Sequence, residues 1–274
     1  MLFKRVWVTG DTHGNFEWLK SWCESHTTSK NTDLLIICGD AGLMYYGQGK
    51  WREENMKKFV QEGCPITLLC VRGNHEARPA NYKNIQFVTL EDDPIVPSGY
   101  YFEPNYPNIW YAADGSTFNI NNKRCLFIGG AYSVDKEYRQ LMGWRWFADE
   151  ELTSEECCDI LDKVDHKRFD FVFTHTCPED WQPYDLFMSC VDQSKVSKKM
   201  EQFLTTVSEI IDFDHWYFGH FHAHRPDIAI DRTHSGQGQV SMLFDQVEQL
   251  CDSEGKLAWL VNVNGEEINH GNDH

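Results

Sequence analysis

The sequence contains no run of apolar residues that approaches the ~18 residues needed to span a bilayer. Its N-terminal segment 1–9 runs into a charged motif at Asp11 too early to contain the apolar core of a signal peptide. These two absences predict a cytoplasmic protein that does not associate with a membrane.

No linker rich in Pro, Gly or Ser divides the 274 residues, and there is no internal repeat. Single α/β domains of roughly 200 to 250 residues are ordinary, so we expect one domain over residues 1–274. The ten cysteines contain no C-x-x-C pair, and their spacing fits no zinc knuckle. We therefore expect free thiols in a reducing compartment, not a disulfide framework.

Basic residues are scarce: 25 Lys and Arg stand against 42 Asp and Glu, and the formal net charge is −17. Proteins that bind nucleic acid nonspecifically carry a basic surface that neutralises phosphates. Stable binding to nucleic acid is therefore not expected, although bound metal ions would supply positive charge at an enzyme site.

Apolar runs and amphipathic segments alternate in the first part of the chain. Segments 3–8, 33–38 and 65–71 predict buried strands: the first is rich in β-branched and aromatic residues, and the second is a continuous apolar run. Residues 15–25 and 51–60 have the spacing of helices. This β-α-β-α-β order predicts parallel strands with helical crossovers.

The middle of the chain is less regular. Residues 84–108 are broken by four prolines, and we expect a loop insertion at 91–108, a candidate lid. Segments 109–120 and 124–128 predict antiparallel strands with turns at Asp114-Gly115 and Asn121-Asn122. Further helices are predicted at 153–164 and 196–211, and further strands at 169–173, 216–218, 240–244 and 257–263.

Polar residues that can bind metal lie after the apolar runs, and several follow strand-like segments directly. They are Asp11, His13, Asp40, Asn74, His175, His220 and His222. Residues at i and i+2 of an extended backbone point to the same side, and open α/β sheets build sites outside the carboxyl ends of their strands. Any one of these residues would more often be structural, but the ordered set predicts one metal site.

Seven candidate ligands fit a two-metal site better than a one-metal site, because a carboxylate can bridge two ions. An Asn amide oxygen suits a divalent ion such as Mn²⁺ or Fe²⁺. We expect two divalent ions, with Mn²⁺ as the metal and Fe, Zn or Mg as alternatives. Two cations roughly 3.5 to 4 Å apart can activate a shared water for displacement at phosphorus. The predicted reaction is phosphoester hydrolysis by a metal-bridging hydroxide.

These ordered motifs resemble those of the calcineurin-like metallophosphoesterase family, from Asp11 to His222. The resemblance implies an α/β fold, a four-layer α-β-β-α sandwich of two mixed sheets. It also implies that one metal is held by Asp11, His13, Asp40 and His222, and the second by Asp40, Asn74, His175 and His220. Asp40 would bridge the two ions. His75 would be catalytic, protonating the leaving oxygen or stabilising the transition state.

Two positions depart from the serine/threonine protein phosphatase branch, which the motifs at 10–14 (GDTHG) and 72–76 (RGNHE) otherwise resemble. That branch follows its second Asp with VDRG, whereas Leu43 and Met44 stand here in place of the carboxylate and the arginine. The motif at 219–222 (GHFH) is similar to phosphodiesterase and nuclease-like branches. Hydrolysis of either phosphomonoesters or phosphodiesters is expected, with a protein phosphatase as the alternative and a non-enzymatic scaffold as a less favoured one.

The substrate is expected to be a phosphorylated small molecule or a nucleotide, whose phosphate needs a cationic partner. The candidates for substrate binding are Arg78, Lys136 and Arg139, although a residue of this kind is more often a solvated surface charge. Arg72 is expected to be the structural partner of a carboxylate near the site.

Overall fold

The computed structural model of the protein describes residues 1–26, 31–91, 96–189, 191–226, 228 and 238–256. Within these ranges, twelve strands form two sheets. The strands are β1 (Arg5–Thr9), β2 (Asp33–Ile37), β3 (Thr67–Cys70), β4 (Gln86–Glu91), β5 (Ser98–Phe102), β6 (Ile109–Ala112), β7 (Ser116–Ile120), β8 (Lys123–Ile128), β9 (Arg168–Thr174), β10 (Asp212–Phe218), β11 (Gln239–Met242) and β12 (Glu248–Asp252).

Both sheets are mixed. The seven-stranded sheet has the order β12-β1-β2-β3-β6-β5-β4, with parallel pairing from β1 to β6 and antiparallel pairing at both edges. The five-stranded sheet has the order β11-β10-β9-β8-β7, and only its β7–β8 pair is antiparallel. Parallel pairing brings the carboxyl ends of β1, β2 and β3 to one edge, as it does those of β9 and β10.

Five α-helices accompany the sheets in the described residues: α1 (Glu17–His26), α2 (Trp51–Gly63), α3 (Lys136–Leu141), α4 (Ser154–Val164) and α5 (Lys199–Ile210). Helix α4 begins with a capping box, in which the backbone N–H of Glu156 donates to Thr153 Oγ1 and the N–H of Thr153 donates to Glu156 Oε2. No helix in the described part of the chain is long and apolar enough to cross a membrane.

The apolar side chains pack in three layers. Leu34 and Ile36 of β2 face the other sheet, where they join Phe127 and Phe173 in one core. Alternate residues of the same strands pack with α1 and α2 in a second core, and α4 and α5 cover the five-stranded sheet in a third. Strands buried on both faces explain the unbroken apolar runs of the sequence. The predicted α-β-β-α sandwich of two mixed sheets is confirmed.

The structure differs from the sequence prediction between residues 84 and 120. Strands β4 and β5 pair antiparallel and extend the seven-stranded sheet. Residues 84–108 therefore include two strands and do not form one continuous loop. Strand β6 pairs with β3 and β5, whereas β7 pairs with β8 in the other sheet. The Asp114-Gly115 turn therefore carries the chain between sheets and does not close a hairpin. The β7–β8 hairpin is confirmed, with Asn121 and Asn122 both at positive φ (47° and 62°).

Three further points concern short elements. Strand β12 and helix α3 were not predicted, because neither has a periodic apolar pattern long enough to mark it. The predicted strand at 257–263 lies outside the described residues. Among the described cysteines, Cys158 is exposed and the others are buried, all as free thiols.

Candidate metal centre

Each predicted ligand lies just beyond the carboxyl end of a strand. Asp11 follows β1, Asp40 follows β2, and Asn74 follows β3 in one sheet. His175 follows β9, and the pair His220 and His222 follows β10 in the other sheet. The ends of the two packed sheets adjoin, so side chains from five loops meet at one place.

The backbone of these loops adopts unusual conformations. Among the predicted ligands, positive φ angles occur at His13 (48°), Asp40 (47°), His220 (70°) and His222 (51°). Each such non-glycine residue costs on the order of 1 to 3 kcal/mol and persists only where the surrounding structure enforces it. Strain of this kind concentrates at functional sites, and four of the nine described non-glycine residues with positive φ are predicted ligands.

Two motif glycines are required by close approach. A Cβ at position 73 would lie 1.9 Å from Asp40 Oδ1, and a Cβ at position 219 would lie 2.2 Å from Asp11 Oδ1. Any side chain at either position would displace a carboxylate of the cluster. The glycines before Asn74 and His220 therefore allow the strand-end loops to reach the two aspartates.

The first group of ligand atoms is built around Asp11. Its Oδ2 lies 3.3 Å from His222 Nε2 and 3.7 Å from His13 Nε2, and the two imidazole nitrogens are 2.8 Å apart. Asp11 is buried, and this Oδ2 has no hydrogen-bond partner. A buried carboxylate oxygen without a donor is costly unless a cation satisfies it, so this donor set fits a divalent metal ion.

The second group lies around Asp40 and His175. His175 Nε2 is 2.8 Å from Asn74 Oδ1, 3.6 Å from Asp40 Oδ2 and 3.3 Å from His220 Nδ1. His175 is held through Nδ1, which lies 3.0 Å from the carbonyl oxygen of Cys38. Atoms of Asp11, Asp40 and His175 all lie within 4.8 Å of one another, so the two groups are contiguous.

Burial and neighbouring charges shift the pKa values of the cluster in opposite directions. Burial raises the pKa of Asp11, but nearby His175 and His222 outweigh it and lower that pKa to about 2. Burial and the charge of Asp11 raise the pKa of Asp40 well above its usual value. Burial and the neighbouring imidazole of His175 lower the pKa of His220 to about 3. A bound cation would favour both carboxylates in their ionised form and the imidazoles in their neutral form.

Residues that the sequence analysis did not identify orient Asn74. Its Nδ2 donates to Ser133 Oγ at 2.9 Å, and Ser133 Oγ donates to Glu150 Oε2 at 2.5 Å. The amide nitrogen of Asn74 is thereby engaged, and its Oδ1 is directed at His175. The only sequence signal for Ser133 is its place in the small-residue segment after β8.

Glu76 connects two of the loops. Its Oε1 accepts from the backbone N–H of Gly42 at 2.8 Å, and its Oε2 accepts from the N–H of Gly73 at 3.3 Å. Burial and the nearby Asp40 raise the pKa of Glu76 to about 7. The last residue of the 72–76 motif is thus a support for the loops that carry Asp40 and Asn74.

His75 stands at the edge of the cluster, beside α3. Arg139 Nη2 lies 2.5 Å from His75 Nδ1 and 3.1 Å from its Nε2, and Asp135 Oδ1 lies 4.0 Å from Nε2. Arg139 Nε donates to Asp135 Oδ2 at 2.7 Å, which holds the pair together. Arg139 and Asp135 therefore place a guanidinium and a carboxylate next to His75. Positions 43 and 44 cannot supply these groups, because Leu43 and Met44 are buried apolar residues. Asp135 was not among the predicted site residues.

The other two candidates for substrate binding lie in different surroundings. Arg78 donates to Glu156 Oε1 at 2.6 Å and to the carbonyl oxygens of Asp149 and Glu151. The Lys136 Nζ lies 4.0 Å from the ring centroid of Trp146. Among the contacts of the described residues, Arg139 is the one of the three that reaches His75. Arg72 pairs with Asp114 at 2.9 Å, as expected for a structural partner of a carboxylate.

Two cavities meet at His75. One, of about 340 Å³, is bordered by Asp40, Asn74, His220 and His222 and has an apolar far wall that includes Leu186 and Phe187. The other, of about 480 Å³, is bordered by His13 and His75 and opens toward α3. The cluster is therefore accessible from two sides.

Comparison with known proteins agrees with this geometry. The family model of the calcineurin-like phosphoesterases matches residues 4–224, which include every residue of the cluster. No curated protein matches the chain. Among solved structures, the chain is similar to a phosphopantetheinyl hydrolase from Mycobacterium tuberculosis, at 14% identity over 86% of this chain and 89% of that one, with a TM-score of 0.39. By the family model, and as its motifs predicted, this chain belongs to the calcineurin-like phosphoesterase family and is a hydrolase of phosphoester bonds.

Proposed function

We propose that the protein is a dinuclear metal-dependent phosphoesterase. The ligands of one cation would be Asp11, His13, Asp40 and His222, and those of the second would be Asp40, Asn74, His175 and His220. The observation that carries the proposal is the buried Asp11 Oδ2, which lacks a hydrogen-bond donor and faces two imidazole nitrogens. We further propose Mn²⁺ as the metal, one domain over residues 1–274 and a cytoplasmic location.

Asp40 is the proposed bridging residue because its neighbours belong to both groups. Its Oδ2 lies 3.6 Å from His175 Nε2, and atoms of His13, Asp40 and His75 also lie within 4.8 Å of one another. Its other oxygen accepts from the backbone N–H of His75 at 2.8 Å, which fixes the carboxylate plane. When bound, two divalent cations supply Lewis acidity toward the phosphate and lower the pKa of water.

His75 is the proposed catalytic residue. Burial and the charge of Arg139 lower the pKa of its imidazole to about 2, so the ring is neutral in the free protein. A phosphate in the site would add negative charge next to the ring and favour its protonated form. His75 would then donate a proton to the leaving oxygen, and Arg139 would bind the phosphate oxygens with its planar donors.

A second candidate function is that of a protein phosphatase. The protein phosphatase branch has an arginine at the position of Met44, so this activity needs an arginine from elsewhere in the chain. The position of Arg139 beside His75 supports this candidate. Activity on serine or threonine phosphopeptides would distinguish this candidate from a small-molecule phosphoesterase.

The test compares hydrolysis of a phosphomonoester and the matching phosphodiester by the Mn²⁺-loaded protein, with Asn74→Ala as the blank. We expect metal-dependent hydrolysis of at least one ester that the blank lacks. A monoester preference would favour the phosphatase branch, and a diester preference would favour the phosphodiesterase branch. Equal turnover by the Asn74→Ala variant, or no hydrolysis of either ester, would refute the proposed function.

A further inference from the structure

The cavity of about 480 Å³ beside α3 differs in chemistry from the rest of the protein. Eight described residues line it: His13, Gly42, Tyr45, Tyr46, Arg52, His75, Arg139 and Trp144. Two are arginines, three are large aromatics, and none is a carboxylate. In a chain with a formal net charge of −17, this is a local positive surface on which an anion can bind.

The two arginines are held against aromatic rings. Arg52 Cζ lies 4.5 Å from the Tyr46 ring centroid, and Arg139 Cζ lies 5.6 Å from that of Tyr45. Each nitrogen of Arg139 already has one partner, which is Asp135, His75 or the carbonyl oxygen of Arg145, so only the second N–H of each Nη is left for a phosphate. In the described part of the chain, the Arg52 guanidinium has no hydrogen bond or ion pair and is exposed. Its fork of donors is available to a ligand.

Trp144 supplies an aromatic surface in the same cavity. Its side chain remains 51% exposed, although tryptophan is seldom left in water without a partner. Its one aromatic neighbour among the described residues is Tyr138, in an edge-to-face contact at 5.7 Å. A planar ligand can therefore stack on the indole, a contact that suits any nucleobase.

The size of the cavity exceeds what a phosphoryl group needs. A volume of about 480 Å³ falls in the range of roughly 300 to 1,000 Å³ that is typical of small-molecule sites. Because His13 and His75 border it, its contents would be continuous with a phosphate at the metal cluster.

We propose that this cavity is a subsite for a nucleotide leaving group, with Arg52 binding a further phosphate and Trp144 stacking on the base. The inference rests on the proposed function and adds the substrate class. Water would add its oxygen to phosphorus, the phosphorus–oxygen bond to the nucleotide would break, and the leaving oxygen would take up the proton.

The test is isothermal titration of the Mn²⁺-loaded full chain with three ligands that lack the bridging P–O–P bond. These are α,β-methylene-ADP, methylenediphosphonate, which lacks the base, and adenosine, which lacks the phosphates. We expect the nucleotide to bind more tightly than either part. Arg52→Ala should weaken binding of the two phosphonates roughly tenfold and leave adenosine unchanged. Arg52→Lys should give an intermediate loss, since it keeps the charge and not the fork.

Trp144→Ala should show the opposite pattern. It should weaken the nucleotide and adenosine about fivefold or more, and leave methylenediphosphonate unchanged. Matched controls are Arg168→Ala, whose side chain is 66% exposed at the start of β9, and Trp51→Ala, whose side chain is 77% exposed and does not line the cavity. Both controls should bind all three ligands as the unmodified chain does.

The subsite is refuted if the nucleotide binds no more tightly than methylenediphosphonate, or if Arg52→Ala and Trp144→Ala behave as their controls. Hydrolysis of p-nitrophenyl phosphate by the same preparations tests the proposed function separately. Nucleotide binding without hydrolysis would refute the proposed function and support the subsite. Hydrolysis without selective nucleotide binding would support the proposed function and refute the subsite.

Discussion

Removing the Ser133 hydroxyl should weaken both the fold and the metal centre. Ser133 is 1% exposed, accepts from Asn74 Nδ2 at 2.9 Å and donates to Glu150 Oε2 at 2.5 Å. In Ser133→Ala the amide nitrogen of Asn74 loses this acceptor in a buried position. An unsatisfied buried polar group costs about 1 to 3 kcal/mol, which is the expected loss in the free energy of unfolding of metal-free protein.

The effect on metal binding is additional. Without Ser133 the amide of Asn74 can rotate, so its Oδ1 is no longer directed at His175 and the second group of ligands. Loss of a residue that orients a metal ligand typically costs 10- to 100-fold in metal affinity, or about 1.4 to 2.7 kcal/mol. We expect that decrease in Mn²⁺ affinity, with a larger effect on the more weakly bound of two ions.

Urea unfolding of the EDTA-treated protein isolates the first effect, because bound metal would add its own binding energy to the folded state. Calorimetric titration with Mn²⁺ measures the second. Ser208→Ala is the matched control, since Ser208 is 6% exposed and donates to the carbonyl oxygen of Thr205 within α5, outside the cluster. If Ser133→Ala matched this control within about 0.5 kcal/mol and kept its Mn²⁺ affinity, the proposed support of Asn74 would be wrong.

Three further predictions concern the cluster and the core. Asp40→Ala should abolish metal loading at both positions, whereas His75→Ala should keep the metal and reduce turnover, as metal analysis and steady-state kinetics would show. Lys57→Met should cost about 3 to 5 kcal/mol in urea unfolding, because it leaves two buried glutamates without their cation, whereas the exposed Lys58→Met should cost less than about 0.5 kcal/mol. Burial lowers the pKa of His215 to about 3. The contribution of the neutral ring to the free energy of unfolding is therefore complete above pH 6.5, and below that pH it falls by about 1.4 kcal/mol per pH unit. His215→Gln should remove this pH dependence.

Each of these predictions has a clear contradicting result. Loss of metal from the His75→Ala variant would make His75 a ligand and refute its catalytic role. Equal unfolding midpoints for the Lys57 and Lys58 variants would mean that the buried ion pairs contribute nothing. Parallel stability curves for the His215→Gln variant and the unmodified chain, from pH 7 to pH 4, would show that His215 does not titrate with folding.

The sequence by itself determined the order of elements and the candidate ligands. The segments that became β1, β2 and β3 are mostly apolar because both of their faces are buried, and this is a local signal. The polar residues after them are conspicuous because they directly follow apolar segments. The glycines at 73 and 219 belong to the same local motifs. The reason that these positions need glycine, the close approach of Asp40 and Asp11, is seen only in the folded structure.

Only the tertiary structure decided what surrounds those residues. The approach of Arg139 and Asp135 to His75, across about sixty residues of chain, depends on how α3 packs and has no periodic signature. The Ser133 and Glu150 pair behind Asn74 is equally non-local. Strands β4, β5 and β12 were not predicted. β12 is an edge strand whose partner, β1, lies far away in sequence, whereas β4 and β5 fall in a stretch that prolines interrupt. Local patterns record which residues are buried or turn the chain, whereas contacts between distant segments arise only when the two sheets pack.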